Sequence, residues 1–154
     1  PDERILRDLE AAIEHLSVLT FVDHDRIASV GFCMGGLYSF LLSAQSVRLR
    51  AAVDFYGRVA YPIRTESRPD APIDVVENVS CPILGIFGSA DHVVPVDDVK
   101  RLKNELMANR KPFQIKIYPD APHAFFNDTR ESYRQDMAED AWKRMLSFLN
   151  KHMK

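Results

Sequence analysis

Short apolar runs alternate along this sequence with segments of helical periodicity. Four runs have the length and composition of buried strands: 26–32, 51–56, 83–87 and 113–118. The spacing of apolar residues predicts helices over 2–18, near 96–106 and near 138–149, while 34–44 is apolar nearly all round, as a buried helix would be. Strands that alternate with helices pair in parallel, so we predict an α/β fold. The predicted fold is a three-layer sandwich, in which helices flank a mostly parallel sheet of about four strands.

The segment Gly31-Phe32-Cys33-Met34-Gly35-Gly36 lies between the first predicted strand and the buried helix. This is the G-x-nucleophile-x-G pattern of a strained strand-to-helix turn, with cysteine as the candidate nucleophile. We expect Gly31 and Gly35 to be required because larger side chains would collide with the adjoining strand and helix. The helix N-terminus favours a thiolate at Cys33, and the Met34 N–H is the predicted oxyanion donor. The alternative is a cysteine that only packs at a helix start.

Two further candidates follow later strands, at the sheet edge where active sites of parallel α/β proteins gather. Asp91 comes just after the third strand and His123 just after the fourth, in the chain order nucleophile, acid, histidine. The sequence therefore predicts a triad with Cys33. Each residue also has an ordinary role open to it, Asp91 in a turn or helix cap and His123 on a surface loop. His92 is the rival histidine, and Asp120 is the rival acid.

Charge and cysteine content exclude several classes of protein. The formal net charge is −2, which predicts no bulk attraction to nucleic acid or to an anionic membrane. No apolar run is long enough to span a bilayer, and the first residues do not resemble a signal peptide. The two cysteines, Cys33 and Cys81, form no disulfide framework, so we expect a cytoplasmic protein. The cysteine and histidine spacings match no zinc motif, and we predict neither a metal nor another cofactor.

These motifs together resemble the dienelactone hydrolase family. The resemblance rests on GFCMGG after a strand, Tyr56-Gly57 after the next strand, and the later segments GSADHVVP and PHAFFN. It covers almost the whole chain and implies an α/β-hydrolase fold, here a partial one. It also implies a triad of Cys33, His123 and Asp91 that hydrolyses small lactones or esters as a carboxylic ester hydrolase. An acyl-thioester on the cysteine would be the intermediate.

The chain departs from the family pattern in two ways. First, the resemblance implies about a hundred further residues ahead of the first helix seen here. In family members that segment holds the first strands, a second oxyanion donor and a glutamate that controls the ionisation of the cysteine. We therefore expect residues 1–154 to be a single, N-terminally truncated α/β-hydrolase domain. Second, the resemblance to members that act on carboxylated lactones implies an arginine four residues after the catalytic histidine, where it binds the substrate carboxylate. That position is Asn127 in this chain.

The irregular stretch 58–80 leaves the second strand at its carboxyl end and is expected to border the site. Candidate substrate contacts are Tyr56, Arg58, Tyr61, Arg64 and Phe125, although Arg58, Tyr61 and Arg64 could equally be solvated loop residues. Two other functions stay open. The chain could be a catalytically incomplete module that folds or forms homo-oligomers through an exposed edge of its first strand. It could also transfer the acyl group to an acceptor other than water.

Overall fold

The computed structural model describes residues 1–154. Eight helices and strands follow one another in the order α1 Asp2–Ser17, β1 Ile27–Phe32, α2 Met34–Gln45, β2 Leu49–Phe55, β3 Ile83–Gly88, α3 Val96–Ala108, β4 Phe113–Tyr118 and α4 Gln135–His152. Two short 3₁₀ turns, Pro72–Asp74 and Val76–Asn78, interrupt the long segment between β2 and β3. The predicted order of helices and strands is confirmed.

All four strands form one parallel sheet in the order β1-β2-β3-β4. The strand β4 alternates apolar and polar residues, which predicts a position near a sheet edge, and the structure confirms that position. The strand β1 forms the opposite edge. Because the strands are parallel, all four carboxyl ends lie along one side of the sheet, which is where the predicted chemistry should gather.

Helices pack on both faces of the sheet, which confirms the predicted three-layer arrangement, and α4 lies over β2 and β3 while Val30 and Phe32 of β1 stay exposed. One buried cluster joins the sheet to α1, α2 and α3 through residues such as Ile13, Phe40 and Leu102. A second cluster joins the other face to α4 through residues such as Val53 and Phe148. The helix α2 is buried nearly all round, as its composition predicts. No helix is both long enough and apolar enough to cross a membrane.

The segment between β2 and β3 is anchored to the fold. The Ile73 amide donates to the Val59 carbonyl at 3.1 Å, and the Ser80 hydroxyl lies within hydrogen-bond distance of the Ser43 and Ser46 carbonyls at the end of α2. The 3₁₀ turns therefore lie beside α2 and α3, and the segment leaves β2 at the carboxyl ends of the strands. The beginning of 58–80 is thus next to the predicted site, as expected, whereas its last residues lie at the far end of α2.

Candidate active site

Cys33 lies in the turn between β1 and α2 and adopts an unusual backbone conformation, with φ 55° and ψ −114°. Its amide donates to the Phe55 carbonyl at 2.9 Å, and its carbonyl accepts from the Leu37 amide at 3.1 Å. These bonds tie the turn to β2 on one side and to α2 on the other. The side chain is left exposed at the carboxyl edge of the sheet. Strained backbone of this kind persists where the surrounding structure fixes it.

The glycines around this turn are not equally crowded. A Cβ at Gly31 would lie 1.9 Å from the Gly35 carbonyl oxygen, so a side chain is excluded there as expected. A Cβ at Gly35 would meet nothing within 4 Å, and the expectation that Gly35 prevents a collision is wrong. The crowded neighbour is Gly36, where a Cβ would lie 2.2 Å from Asp54 Oδ1. The reason is that Gly36, not Gly35, lies on the side of α2 that faces β2.

The structure brings Cys33, His123 and Asp91 together. His123 Nε2 lies 3.2 Å from Cys33 Sγ, and His123 Nδ1 lies 2.7 Å from Asp91 Oδ2. The other carboxylate oxygen of Asp91 accepts the amides of Val93 and Val94 at 2.7 and 2.9 Å. The Asp91 side chain is only 1% exposed, so hydrogen bonds rather than water hold it in place.

The hydrogen bond that His123 donates to Asp91 raises the pKa of His123, while partial burial acts against this increase and the contact with Cys33 adds to it. Tyr56 packs edge-on against the His123 ring, with centroids 5.1 Å apart. Burial raises the pKa of the Tyr56 phenol to about 12, so this hydroxyl stays neutral near pH 7. The imidazole is therefore held between a carboxylate, a thiol and a neutral aromatic ring.

The loops that carry the acid and the histidine are bonded to each other. The Ser89 amide donates to the Tyr118 carbonyl at 2.9 Å, and the Ala90 amide donates to the Ala121 carbonyl at 3.1 Å. A Cβ at Gly88 would lie 2.1 Å from the Ala121 carbonyl oxygen, so glycine permits this close approach. Because the loops after β3 and β4 are joined in this way, the Asp91–His123 distance depends on backbone contacts as well as on the two side chains.

A cavity of about 200 Å³ opens beside Cys33 and His123. Besides Cys33 and His123, four predicted site residues line it, namely Met34, Tyr56, Arg58 and Tyr61. Arg64 does not line the cavity and pairs with Asp74 instead. Phe125 does not reach the cavity either. Its ring is fully buried between Tyr56 and Tyr118, because the left-handed residue before it, Ala124 (φ 59°), turns the chain into the core.

Sequence reasoning missed three cavity residues, Leu37, Arg68 and Val93. Arg68 belongs to the irregular stretch that was expected to border the site, and Val93 closely follows Asp91, so position along the chain offered a weak signal.

Asp2 contacts the cavity residues Tyr61 and Arg68, but its position at the start of the chain does not point to the site. Its buried carboxylate accepts the hydroxyls of Tyr38 and Tyr61 at 2.7 and 2.9 Å, and Arg68 Nε lies 4.0 Å from it.

The rival residues lie outside this arrangement. His92 is exposed and forms no hydrogen bond with Cys33, and the Asp120 side chain is exposed on the loop that carries His123. Asn127 Oδ1 accepts the amide and the hydroxyl of Thr129, so it is engaged within its own loop. No group of three or more His, Cys, Asp or Glu side chains is arranged to hold a metal ion.

Comparisons with known proteins agree with one another. The sequence model of the Dienelactone hydrolase family matches residues 1–153. A Methylorubrum extorquens protein named as a carboxymethylenebutenolidase is 34% identical over 152 residues, and a Bradyrhizobium protein named as a 2-oxo-3-(5-oxofuran-2-ylidene)propanoate lactonase is 34% identical over 152 residues. A crystal structure from Klebsiella pneumoniae, described as a dienelactone hydrolase, superimposes with a TM-score of 0.93 at 33% identity.

The matches cover nearly all of this chain but only part of each relative. They include 99% of the chain against 52% of the Methylorubrum protein and 61% of the Bradyrhizobium protein, and 97% of the chain against 62% of the Klebsiella structure. The chain thus spans about half to three fifths of the length of these relatives.

Proposed function

This chain belongs to the dienelactone hydrolase family, and from that premise we propose that it hydrolyses small esters or lactones through Cys33, His123 and Asp91. The observation that carries the proposal is the continuous set of contacts from Cys33 Sγ to His123 Nε2 and from His123 Nδ1 to Asp91. A nucleophile, a base and a group that orients the base, all within hydrogen-bond reach, form the arrangement that covalent acyl transfer requires.

In the first half of the reaction, Cys33 Sγ attacks the substrate carbonyl carbon and its proton passes to His123 Nε2. The Met34 amide is the first in α2 and has no intrahelical partner, so it is free to donate to the oxyanion. The carbonyl re-forms as the carbon–oxygen bond to the leaving group breaks. The leaving oxygen takes the proton from His123, which leaves an acyl-thioester on Cys33 and a free hydroxyl.

In the second half, water attacks the thioester carbonyl while His123 Nε2 accepts a proton from it. The carbon–sulfur bond breaks, the carboxylic acid is released, and the proton on His123 returns to Cys33. Asp91 accepts the Nδ1–H of His123 throughout, which fixes the tautomer and stabilises the imidazolium.

For substrate class, we propose a small lactone or ester that carries a carboxylate. The names of the two relatives describe unsaturated five-membered lactones with an acidic side chain. Arg58 and Arg68 line the cavity here, and the two differ in their surroundings. Arg68 lies beside the Asp2 carboxylate, whereas Arg58 forms no ion pair within the chain. Arg58 is therefore the cation that a substrate carboxylate would meet.

The test is hydrolysis of p-nitrophenyl acetate by the wild-type chain, Cys33→Ala and Cys81→Ala. Cys81 is the matched control because it is buried away from the site. We expect Cys33→Ala to fall to the uncatalysed rate and Cys81→Ala to keep its activity. A wild-type rate no faster than that of Cys33→Ala would refute the proposal.

A second test compares p-nitrophenyl acetate with the p-nitrophenyl monoester of succinate, which carries a free carboxylate. Arg58→Gln should lower kcat/KM for the succinate monoester and leave kcat/KM for the acetate unchanged. An equal decrease in kcat/KM for both esters would refute the assignment of Arg58 to the substrate carboxylate.

A further inference from the structure

Asp54 is the most deeply buried acid that the reaction scheme does not use. It lies in β2 one residue before the strand ends, and it is 1% exposed. Its Oδ1 accepts the Gly57 amide at 2.7 Å, and its Oδ2 has no hydrogen-bond partner. Buried polar groups are nearly always paired, so an acid left in this state calls for a specific explanation.

The space around Asp54 is formed largely by glycines. The residues that pair with it on the neighbouring strands are Gly31 of β1 and Gly85 of β3. A Cβ at Gly36 would lie 2.2 Å from Asp54 Oδ1, and a Cβ at Gly57 would lie 2.4 Å from the same atom. The carboxyl group therefore fills the room that missing side chains leave beneath the first turn of α2.

Asp54 also fixes the chain that follows it. Its bond to the Gly57 amide closes a three-residue turn in which Tyr56 has a left-handed conformation, with φ 44°. Within this turn the Phe55 carbonyl accepts the Cys33 amide, and the Tyr56 ring packs on His123. Asp54 Oδ1 thus holds a turn that contacts both the nucleophile and the base, Cys33 through the Phe55 carbonyl and His123 through the Tyr56 ring.

We propose that Asp54 is a positioning residue that holds the Phe55–Gly57 turn and, through the Phe55 carbonyl and the Tyr56 ring, sets the placement of Cys33 and His123. This inference rests on the proposed function of the same site. The part of Asp54 that matters is the acceptor oxygen of its side chain. Burial raises the pKa of Asp54 to about 7, with the Gly57 bond acting against this increase, and the acceptor oxygen is present in either protonation state.

The experiment compares Asp54→Ala, Asp54→Ser and Asp54→Asn in the Cys81→Ala background, where Cys33 is the only thiol. Asparagine keeps an acceptor oxygen of the same reach, whereas alanine has none and the serine hydroxyl is too short. Ser43→Ala is the matched control, since it removes another fully buried polar side chain, one that lies near the end of α2 and away from Cys33. Two rates are measured, namely ester hydrolysis and alkylation of Cys33 by iodoacetamide, with circular dichroism as the check on folding.

We expect Asp54→Ala and Asp54→Ser to stay folded and to lose about tenfold or more in kcat and in alkylation rate, with KM changing little, because small displacements of reacting groups are costly. Asp54→Asn and Ser43→Ala should stay close to the parent. Unchanged rates in Asp54→Ala and Asp54→Ser would overturn the proposal, as would equal losses in Asp54→Asn and Asp54→Ala. Failure of both smaller variants to fold would also overturn it, since the role would then be one in folding. If the chain hydrolyses no ester, alkylation still decides the question independently of the proposed function.

Discussion

Asp91 divides its two carboxylate oxygens between the backbone and the imidazole. One accepts the amides of Val93 and Val94, and the other faces His123 Nδ1. An asparagine could keep the backbone bonds through its oxygen but would turn its amide nitrogen toward His123. The two halves of the carboxylate therefore have separable effects, one on loop structure and one on the protonation of the histidine.

Asp91→Asn should lower the pKa of His123, because the main cause of its increase is the Asp91 hydrogen bond. A histidine whose pKa is raised on folding contributes stability below its unfolded value of about 6.5, and that contribution is lost as the pH rises through the folded value. The difference in melting temperature between the wild-type chain and Asp91→Asn should therefore be largest below about pH 6.5 and shrink at alkaline pH.

The measurement is an NMR titration of the His123 ring together with thermal melts at several pH values. Asp120→Asn is the control, because Asp120 is an exposed acid on the loop that carries His123. An unchanged His123 pKa in Asp91→Asn would contradict the prediction.

At the scale of secondary structure, the contact between β1 and the start of α2 depends on Gly31 far more than on Gly35. A methyl group at Gly31 would meet backbone atoms of Gly35, while one at Gly35 would meet nothing. Gly31→Ala should therefore lower the free energy of unfolding by about 1–3 kcal/mol or more, the usual cost of overpacking. Gly35→Ala should raise it by roughly 0.5–1 kcal/mol, because alanine is the better helix former.

Urea denaturation of both variants tests this prediction, with the midpoint compared at constant m-value. Two similar midpoints, or a lower midpoint for Gly35→Ala than for Gly31→Ala, would show that the two glycines have been assigned the wrong roles.

The sequence predicted secondary structure well where local composition decides it. The bounds of β4 agree with the predicted 113–118, and those of α2 differ by one residue. The 3₁₀ turn Pro72–Asp74 was missed because three residues carry no periodicity. The burial of Asp2 could not be foreseen, since the hydroxyls that it accepts come from residues 36 and 59 positions away. The same reason hid Asp54, whose environment is formed by backbone rather than by complementary side chains.

Within the site, chain order and the strand-end rule were enough to bring out Cys33, Asp91 and His123 as candidates. Substrate contacts were harder to predict, because a side chain next to a site in sequence can point either way. Phe125 illustrates this limit, since the left-handed Ala124 directs it into the core. The catalytic roles themselves stay predictions until the cysteine variants are measured.

For the whole molecule, we propose that residues 1–154 form one domain, because the four strands share a single sheet and both faces of that sheet are covered. The edge strand β1 has no neighbour on its outer side, and its residues Val30 and Phe32 are 41% and 40% exposed. Open edges of this kind favour pairing with another chain.

We expect the chain to form homo-oligomers through β1 at micromolar concentration. Val30→Lys should shift it toward the monomer, since a charged residue on an edge strand opposes pairing. Val47→Lys is the control, because Val47 is 87% exposed and lies between α2 and β2. Light scattering measures the outcome against a monomer mass of 17.6 kDa. A wild-type monomer, or an equal effect of both lysines, would contradict the prediction.

The left-handed backbone of the site has a consequence for attempts to improve this protein. Five residues other than glycine have positive φ, and no glycine does. Four of the five, namely Cys33, Tyr56, Asp120 and Ala124, lie in the turns that form the site. Such residues each cost about 1–3 kcal/mol, which glycine would largely relieve. A mutant library screened only for heat resistance should therefore collect glycines at these turns, and a glycine at Cys33 would remove the proposed nucleophile.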